Sequence, residues 1–427
     1  MTAALPVRAE LFAPDRRATT IGIVLLISIV AFEAMGVGTA MPAVVADLGA
    51  VTRYGWPFVA FMAASVLGTV LVGRWCDRAG PRIALLATPL VFVAGLAVAV
   101  YVLIAAVYPE RARPAVFALT SSAWVLPTLI GPPISGLVTE AASWHWVFLG
   151  LIPLVLGATM LVVPAVQRLT APPERAAAPA RRAIVLAALG AAAGVSALSW
   201  AGERGDGTAA VVAVAALAVL VPALARLMPT GVARARRGIS AIVLSRGLLA
   251  GTFFAANSYL PLMLNGTHGW PLTTAGIPLI AGSLGWSSAA AWQGRNPELS
   301  RSTLLRVGFA LVAIGTAGLL LVAPEWGPAW VAIPAWAVAG AGMGLGFSSI
   351  SFLVLQQSGP GDVGFHTSAA QIADQLGTAL LIGAGGALLG LLATPPAALS
   401  VLLVALVAIA LTGAVVAGRT AARARTA

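Results

Sequence analysis

The chain has no lysine, a single cysteine (Cys76) and three histidines, and only 9% of its 427 residues are charged. A soluble domain carries about 25% charged residues, so an exterior bathed in water is excluded. One cysteine excludes a disulfide framework and any multi-cysteine metal site. His145, His268 and His366 lie far apart, without the spacing of metal ligands. With no nucleophile arrangement, phosphate loop or metal cluster in the sequence, neither an enzyme nor a bound cofactor is expected. What the chain does have is apolar surface: 59% of its residues are hydrophobic, and the mean hydropathy is +0.96. The net charge of +11 rests entirely on arginine. We read it as arginines gathered in short cytoplasmic loops, as the positive-inside rule requires, rather than as a nucleic-acid footprint. The pattern is that of a polytopic membrane protein.

A crossing helix needs about 20 mainly apolar residues. Thirteen such runs are present: Thr20–Met41, Pro57–Val72, Ile83–Val107, Ala115–Val138, Trp146–Val163, Ala183–Trp200, Ala209–Leu227, Ile239–Leu264, Thr273–Trp292, Leu304–Ala323, Trp330–Leu355, Ser368–Leu392 and Ala397–Ala417. The first is too long for the 7–15-residue core of a signal peptide, and further spans follow it. With the N-terminus inside, every arginine except Arg53, Arg204 and Arg246 falls in a loop expected on the cytoplasmic side. Both termini are therefore expected in the cytoplasm, with the chain in a plasma membrane. One run breaks the alternation. Ile83–Val107 has Arg82 at one end and Arg111 and Arg113 at the other. At 1.5 Å per residue it is long enough for one crossing and too short for two. It either crosses once, against the charge pattern, or re-enters as a broken hairpin.

The strongest local motif is Gly73-Arg74-Trp75-Cys76-Asp77-Arg78-Ala79-Gly80-Pro81-Arg82, placed in a short loop after the second run. It resembles the G-x-x-x-D-R-x-G-x-R signature of the major facilitator superfamily, lacking only the trailing basic residue, where Ile83 stands. Gly73, Asp77, Arg78, Gly80 and Arg82 are the gating residues that this resemblance implies. In the fourth run, Gly131-Pro132-Pro133-Ile134-Ser135-Gly136 is similar to the glycine-proline motif of proton-coupled exporters in that superfamily. Small residues let helix backbones approach and proline bends a helix, so Gly131, Pro132 and Gly136 are its expected working positions. Ser143-Trp144-His145-Trp146-Val147-Phe148, and Met41-Pro42 with Asp47-Leu48-Gly49, resemble further segments of the fourteen-span drug:proton antiporter branch.

The resemblance implies an all-α major facilitator fold: two pseudo-symmetric helical bundles, with two extra spans between them. The corresponding boundaries are an N-terminal bundle at 1–164, basic loops and linker spans at 165–238, and a C-terminal bundle at 239–427. That template has fourteen spans where hydropathy gives about thirteen, and the shortfall falls at 83–107. Two acids lie within spans, where the charged form is expensive. Glu33 is read as a proton acceptor, or else as a structural acid bonded to a neighbouring helix. Asp374 is read as a second coupling acid on the cavity from the other half, or as a group facing the cytoplasmic funnel. Arg246 is expected to snorkel to the cytoplasmic headgroups. Asn257, Tyr259 and Trp124 are candidate substrate contacts, with helix-to-helix bonding or core packing as the alternative.

The expected function is proton-coupled efflux of a hydrophobic or weakly cationic small molecule by alternating access, carried out by a monomer in the lipid bilayer with a proton as co-substrate. A proton-coupled uptake symporter shares the fold, and a non-transporting remnant disabled at 83–107 is the third reading.

Overall fold

The computed structural model describes residues 12–14, 16–49, 53–79, 125–167, 180–204, 207–296, 298–359 and 362–421, and these are almost wholly helical. The first half contributes α1 (Arg17–Asp47), α2 (Trp56–Ala79), α3 (Val125–Ala141), the single turn α4 (His145–Leu149) and α5 (Leu151–Gln167). A pair follows, α6 (Ala180–Gly202) and α7 (Gly207–Leu227), packed on each other. The second half is α8 (Ile239–Leu262), the short α9 (Leu272–Ala275), α10 (Ile277–Arg295), α11 (Arg301–Leu319), α12 (Ala332–Gln357), α13 (Val363–Leu391) and α14 (Pro395–Ala417). Among the described residues, nine helical stretches are long and apolar enough to cross a membrane, with Trp56–Gly68 a shorter apolar stretch. Ile83–Val107, Gly80, Arg82 and Trp124 lie outside the described residues.

In places the boundaries differ from the sequence reading. The segment Gly73–Ala79, expected as a loop, continues α2. Charge at Arg74 marks where a span should leave the hydrocarbon layer, and a helix is free to continue past that point. The run Thr273–Trp292 is divided at Gly276 into α9 and α10.

Apolar faces occur on both the inside and the outside of the molecule, as a lipid solvent demands. On α7, Leu220 and Ala223 are buried while Val211, Val214 and Val221 are exposed; on α14, Leu402 and Leu406 are buried while Val404, Leu411 and Val415 are exposed. α8 is apolar nearly all round and is buried nearly all round, as a central helix should be.

Inside the bundle, glycines set the helix spacing. On α12, Gly340 and Gly344 meet the carbonyls of Gly282 and Trp286 on α10, while Gly342 meets the Gly308 carbonyl on α11. Pairs spaced by four residues put small side chains on one stripe, the arrangement by which membrane helices approach closely. On the α8–α13 seam, Gly247 and Gly251 lie against the backbone of Ala373 and Gly377. One continuous core of buried residues runs from Val37 and Val59 through Ala188 to Leu406. α6 touches α2 on one side and α13 on the other, so the linker is wedged against both halves.

Candidate functional site

Charge is placed sparingly in the interior, and the structure brings two of its members together. Arg246 Nε donates to Asp374 Oδ2 at 2.9 Å, joining α8 to α13. The Arg246 guanidinium also lies 3.3 Å from the centre of the Phe347 ring and donates to Ser351 Oγ at 3.4 Å. Arg246 is only 6% exposed. The expectation that it snorkels to the headgroups is therefore corrected: the close backbone approach at Gly247 and Gly377 pulls it inward to a carboxylate 128 residues away. Sequence inspection holds both residues but not their pairing. Glu33 stands apart from that pair, near the middle of α1, and is 8% exposed. One turn further on, Ser135 Oγ on α3 donates to the Gly36 carbonyl at 2.6 Å, and Gly131 packs on the Phe32 ring. Glu33 thus belongs to a segment held against the glycine-proline helix.

That helix also reaches the other half. A methyl group on Gly136 would lie 2.7 Å from the Thr273 nitrogen, and one on Gly276 would lie 2.7 Å from Pro132 Cβ. Glu140, one turn beyond Gly136, accepts from the Thr273 backbone N–H at 3.1 Å, giving α9 an acidic partner at its N-terminus. Gly131, Pro132 and Gly136 therefore lie on α3 where it faces α1 and the α9–α10 junction.

A second contact between the halves is made by Tyr54, in the turn before α2, whose side chain is fully buried. Its hydroxyl donates to the Ser258 carbonyl on α8 at 2.8 Å, and its ring lies 5.2 Å from that of Tyr259. Tyr259 in turn donates to the Ile382 carbonyl on α13 at 2.6 Å. Asn257 accepts from the Trp336 indole at 3.0 Å. Asn257 and Tyr259 are thus engaged in helix-to-helix hydrogen bonds, and Tyr259 stands at the seam. Gly73, Asp77 and Arg78 fall on the last turns of α2. Trp144 Nε1 donates to Asp47 Oδ2 at 3.1 Å, which ties together two segments that the sequence singled out separately. The sequence reading missed Tyr54 and Glu140. For Glu140 the available signal was an acid just past a glycine-proline run; a tyrosine in a short turn between spans carries none.

Apolar helices in contact along interior seams are an architecture with many uses, and a fold alone does not name a family. The family model of the Major Facilitator Superfamily matches residues 90–382, well over half of the chain. The chain belongs to the Major Facilitator Superfamily. As a member of this transporter superfamily it is a multi-pass membrane protein and not an enzyme. It is 25% identical over 392 residues to an uncharacterized MFS-type transporter of Mycobacterium tuberculosis, covering 82% of this chain and 56% of that protein. The chain spans about half the length of that curated relative. It is also 24% identical over 154 residues to multidrug resistance protein 3 of Bacillus subtilis, 30% of each chain. A solved structure of an auto-inhibited POT family peptide transporter superposes with a TM-score of 0.68 at 15% identity, covering 95% of this chain and 98% of that one. At that identity the likeness speaks for the fold.

The Tyr54 seam gives a testable consequence for this facilitator chain. Replacing Tyr54 by Phe leaves the ring in place and removes the bond to the Ser258 carbonyl, a net loss of about 1 kcal/mol. The halves should part about fivefold more often, which hydroxyl-radical footprinting reads as faster oxidation of Tyr259. An unchanged rate would mean that the hydroxyl does not hold the seam.

Proposed function

We propose that this chain is a plasma-membrane exporter that exchanges a hydrophobic or weakly cationic small molecule for protons by alternating access. The observation that carries the reading is Glu33, a carboxyl buried near the middle of a long apolar helix, beside the glycine-proline helix that faces the other half. An acid there is retained for function by default, because its ionised form is expensive in a membrane. In the proposed cycle, Glu33 takes a proton while the cavity faces out and releases it when the halves have rocked to face in. Asp374, held by Arg246, is the second coupling acid: proton arrival there would release the arginine, and with it the α8–α13 contact. The scarcity of interior charge favours a bulky apolar or weakly cationic substrate, and relatives with multidrug names support efflux over uptake. The arginine pattern supports an orientation with both termini in the cytoplasm. The end of the molecule carrying Tyr54, Glu140 and Glu203 then faces outward.

Cells making the protein should retain less of a fluorescent lipophilic cation than cells carrying an empty vector. Glu33→Gln, which cannot release a proton, should raise retention to the empty-vector level at equal membrane abundance. Greater retention in the wild type would point to uptake, and equal retention in all three would point to a non-transporting chain.

A further inference from the structure

Glu203 follows the last residue of α6, outside the membrane-spanning stretches, and takes no part in the cycle above. Its surroundings are nonetheless built from three parts of the molecule. A methyl group on Gly386 of α13 would lie 3.5 Å from Glu203 Oε1, and 3.6 Å from both the Gly55 nitrogen and Tyr259 Oη. The linker, the turn before α2, and α8 with α13 thus converge on one point. α6 follows α13 into this junction by close contacts: a methyl on Gly383 would lie 3.1 Å from Ser199 Oγ, and one on Gly202 would lie 2.8 Å from Ala387 Cβ. Glu203 Oε1 is shielded from solvent and, among the described residues, accepts no hydrogen bond. Among the described residues, the charged and titratable groups around it are Arg53 from the turn before α2 and Tyr259 from α8, itself beside Tyr54; α13 approaches it at Gly386 and Gly390. On its own segment, Arg204 is stacked over the Trp200 ring at 4.3 Å.

We infer that Glu203 is a proton-binding latch, contributed by the linker pair, that keeps the Tyr54–Tyr259 seam closed when its carboxyl is protonated and loosens the seam when it ionises. A neutral carboxyl fits a solvent-shielded junction of backbone, phenol and indole, whereas a carboxylate there has an oxygen without a donor. Parting of the seam would return that oxygen to water and relieve the penalty. The carboxyl is pushed up to about 7 in the closed arrangement, by burial above all, with Arg53 and the Trp56 side chain pulling the other way. The sign follows from linkage: the closed form binds the proton more tightly than the open form. Closure is therefore favoured as pH falls from about 7 toward the ordinary carboxylate value, and lost as pH rises through 7. Under the orientation above, external acid closes the outer face, and the proton returns to the outside when the face reopens. This inference rests on the alternating-access reading but not on Glu33 carrying the transported proton.

The test is hydroxyl-radical footprinting of the full chain in lipid nanodiscs across pH 5.5 to 8.5, without substrate. Oxidation of Tyr54 should rise with pH, with a midpoint near 7. Glu203→Gln should give a low, flat profile and Glu203→Ala a flat one. Trp336, buried in the second half, reports unfolding in every sample. A flat wild-type profile, or a wild-type slope retained in both Glu203 variants, overturns the inference. A slope abolished by Glu33→Gln and kept without Glu203 also overturns it, moving the pH sensor to the central helix. Because no flux is measured, failure of the export reading leaves this outcome readable.

Discussion

Arg246→Met and Asp374→Leu should each, made singly, destabilise the second half severely, while the two together should leave it nearly as stable as the parent. The pair is buried on both sides, with nitrogen and oxygen 2.9 Å apart between α8 and α13. Taking two charges out of water is offset only while each has the other. Removing one partner strands a buried charge at about 3–5 kcal/mol, whereas replacing both by apolar groups of similar size is often neutral or better. Each single variant should therefore lose its monodisperse peak in detergent well below the temperature at which the parent does, and the double variant should recover it. If Asp374 also moves protons, the double variant will be folded and inactive, which separates stability from transport. A double variant as unstable as the singles would mean that the pair is held by more than mutual neutralisation.

Gly340→Val should be the most damaging single replacement of a small residue in the second half. Even the first carbon of a side chain at Gly340 would collide with the Gly282 carbonyl on α10, which is backbone and has nowhere to swing. Overpacking of this kind costs about 1–3 kcal/mol and occasionally more. It would here push α12 away from α10 and open the stripe continued by Gly344. Little folded protein should be recovered. Gly157→Ala on α5 is the matching control, since nothing lies within 4 Å of the added carbon. Recovery of Gly340→Val at parental yield would show that α10 and α12 have slack between them.

These two sites show what the sequence makes legible and what it withholds. The crossing helices are legible because lipid imposes a length of apolar chain on each; α1, α8, α12 and α14 each overlap an apolar run read from the sequence. The polar break between α6 and α7 is legible for the same reason. The continuation of α2 to Ala79 is not, because hydropathy ends where lipid ends and helices need not. Pairings are withheld altogether. Arg246 and Asp374 are each visible as costly residues, yet joining them requires knowing that Gly247 and Gly377 bring two distant helices into backbone contact. The glycine-proline motif was visible as a motif, whereas its neighbours, Gly276 and Thr273 from the other half, were not. Tyr54 gave no pattern at all: a lone aromatic residue in a turn reads the same whether it faces solvent or locks two bundles together.

In the proposed cycle proton movement through Glu33 drives export, so substrate-dependent proton flux across a sealed membrane is the decisive measurement. The purified protein, reconstituted into vesicles with a pH-sensitive dye inside, is given an inward proton gradient and then a lipophilic cation loaded within. The lumen should acidify only when the cation is present, with cation loss in step, and neither signal should appear in Glu33→Gln vesicles. Cation loss that proceeds equally in Glu33→Gln vesicles, or without any proton entry, would contradict it.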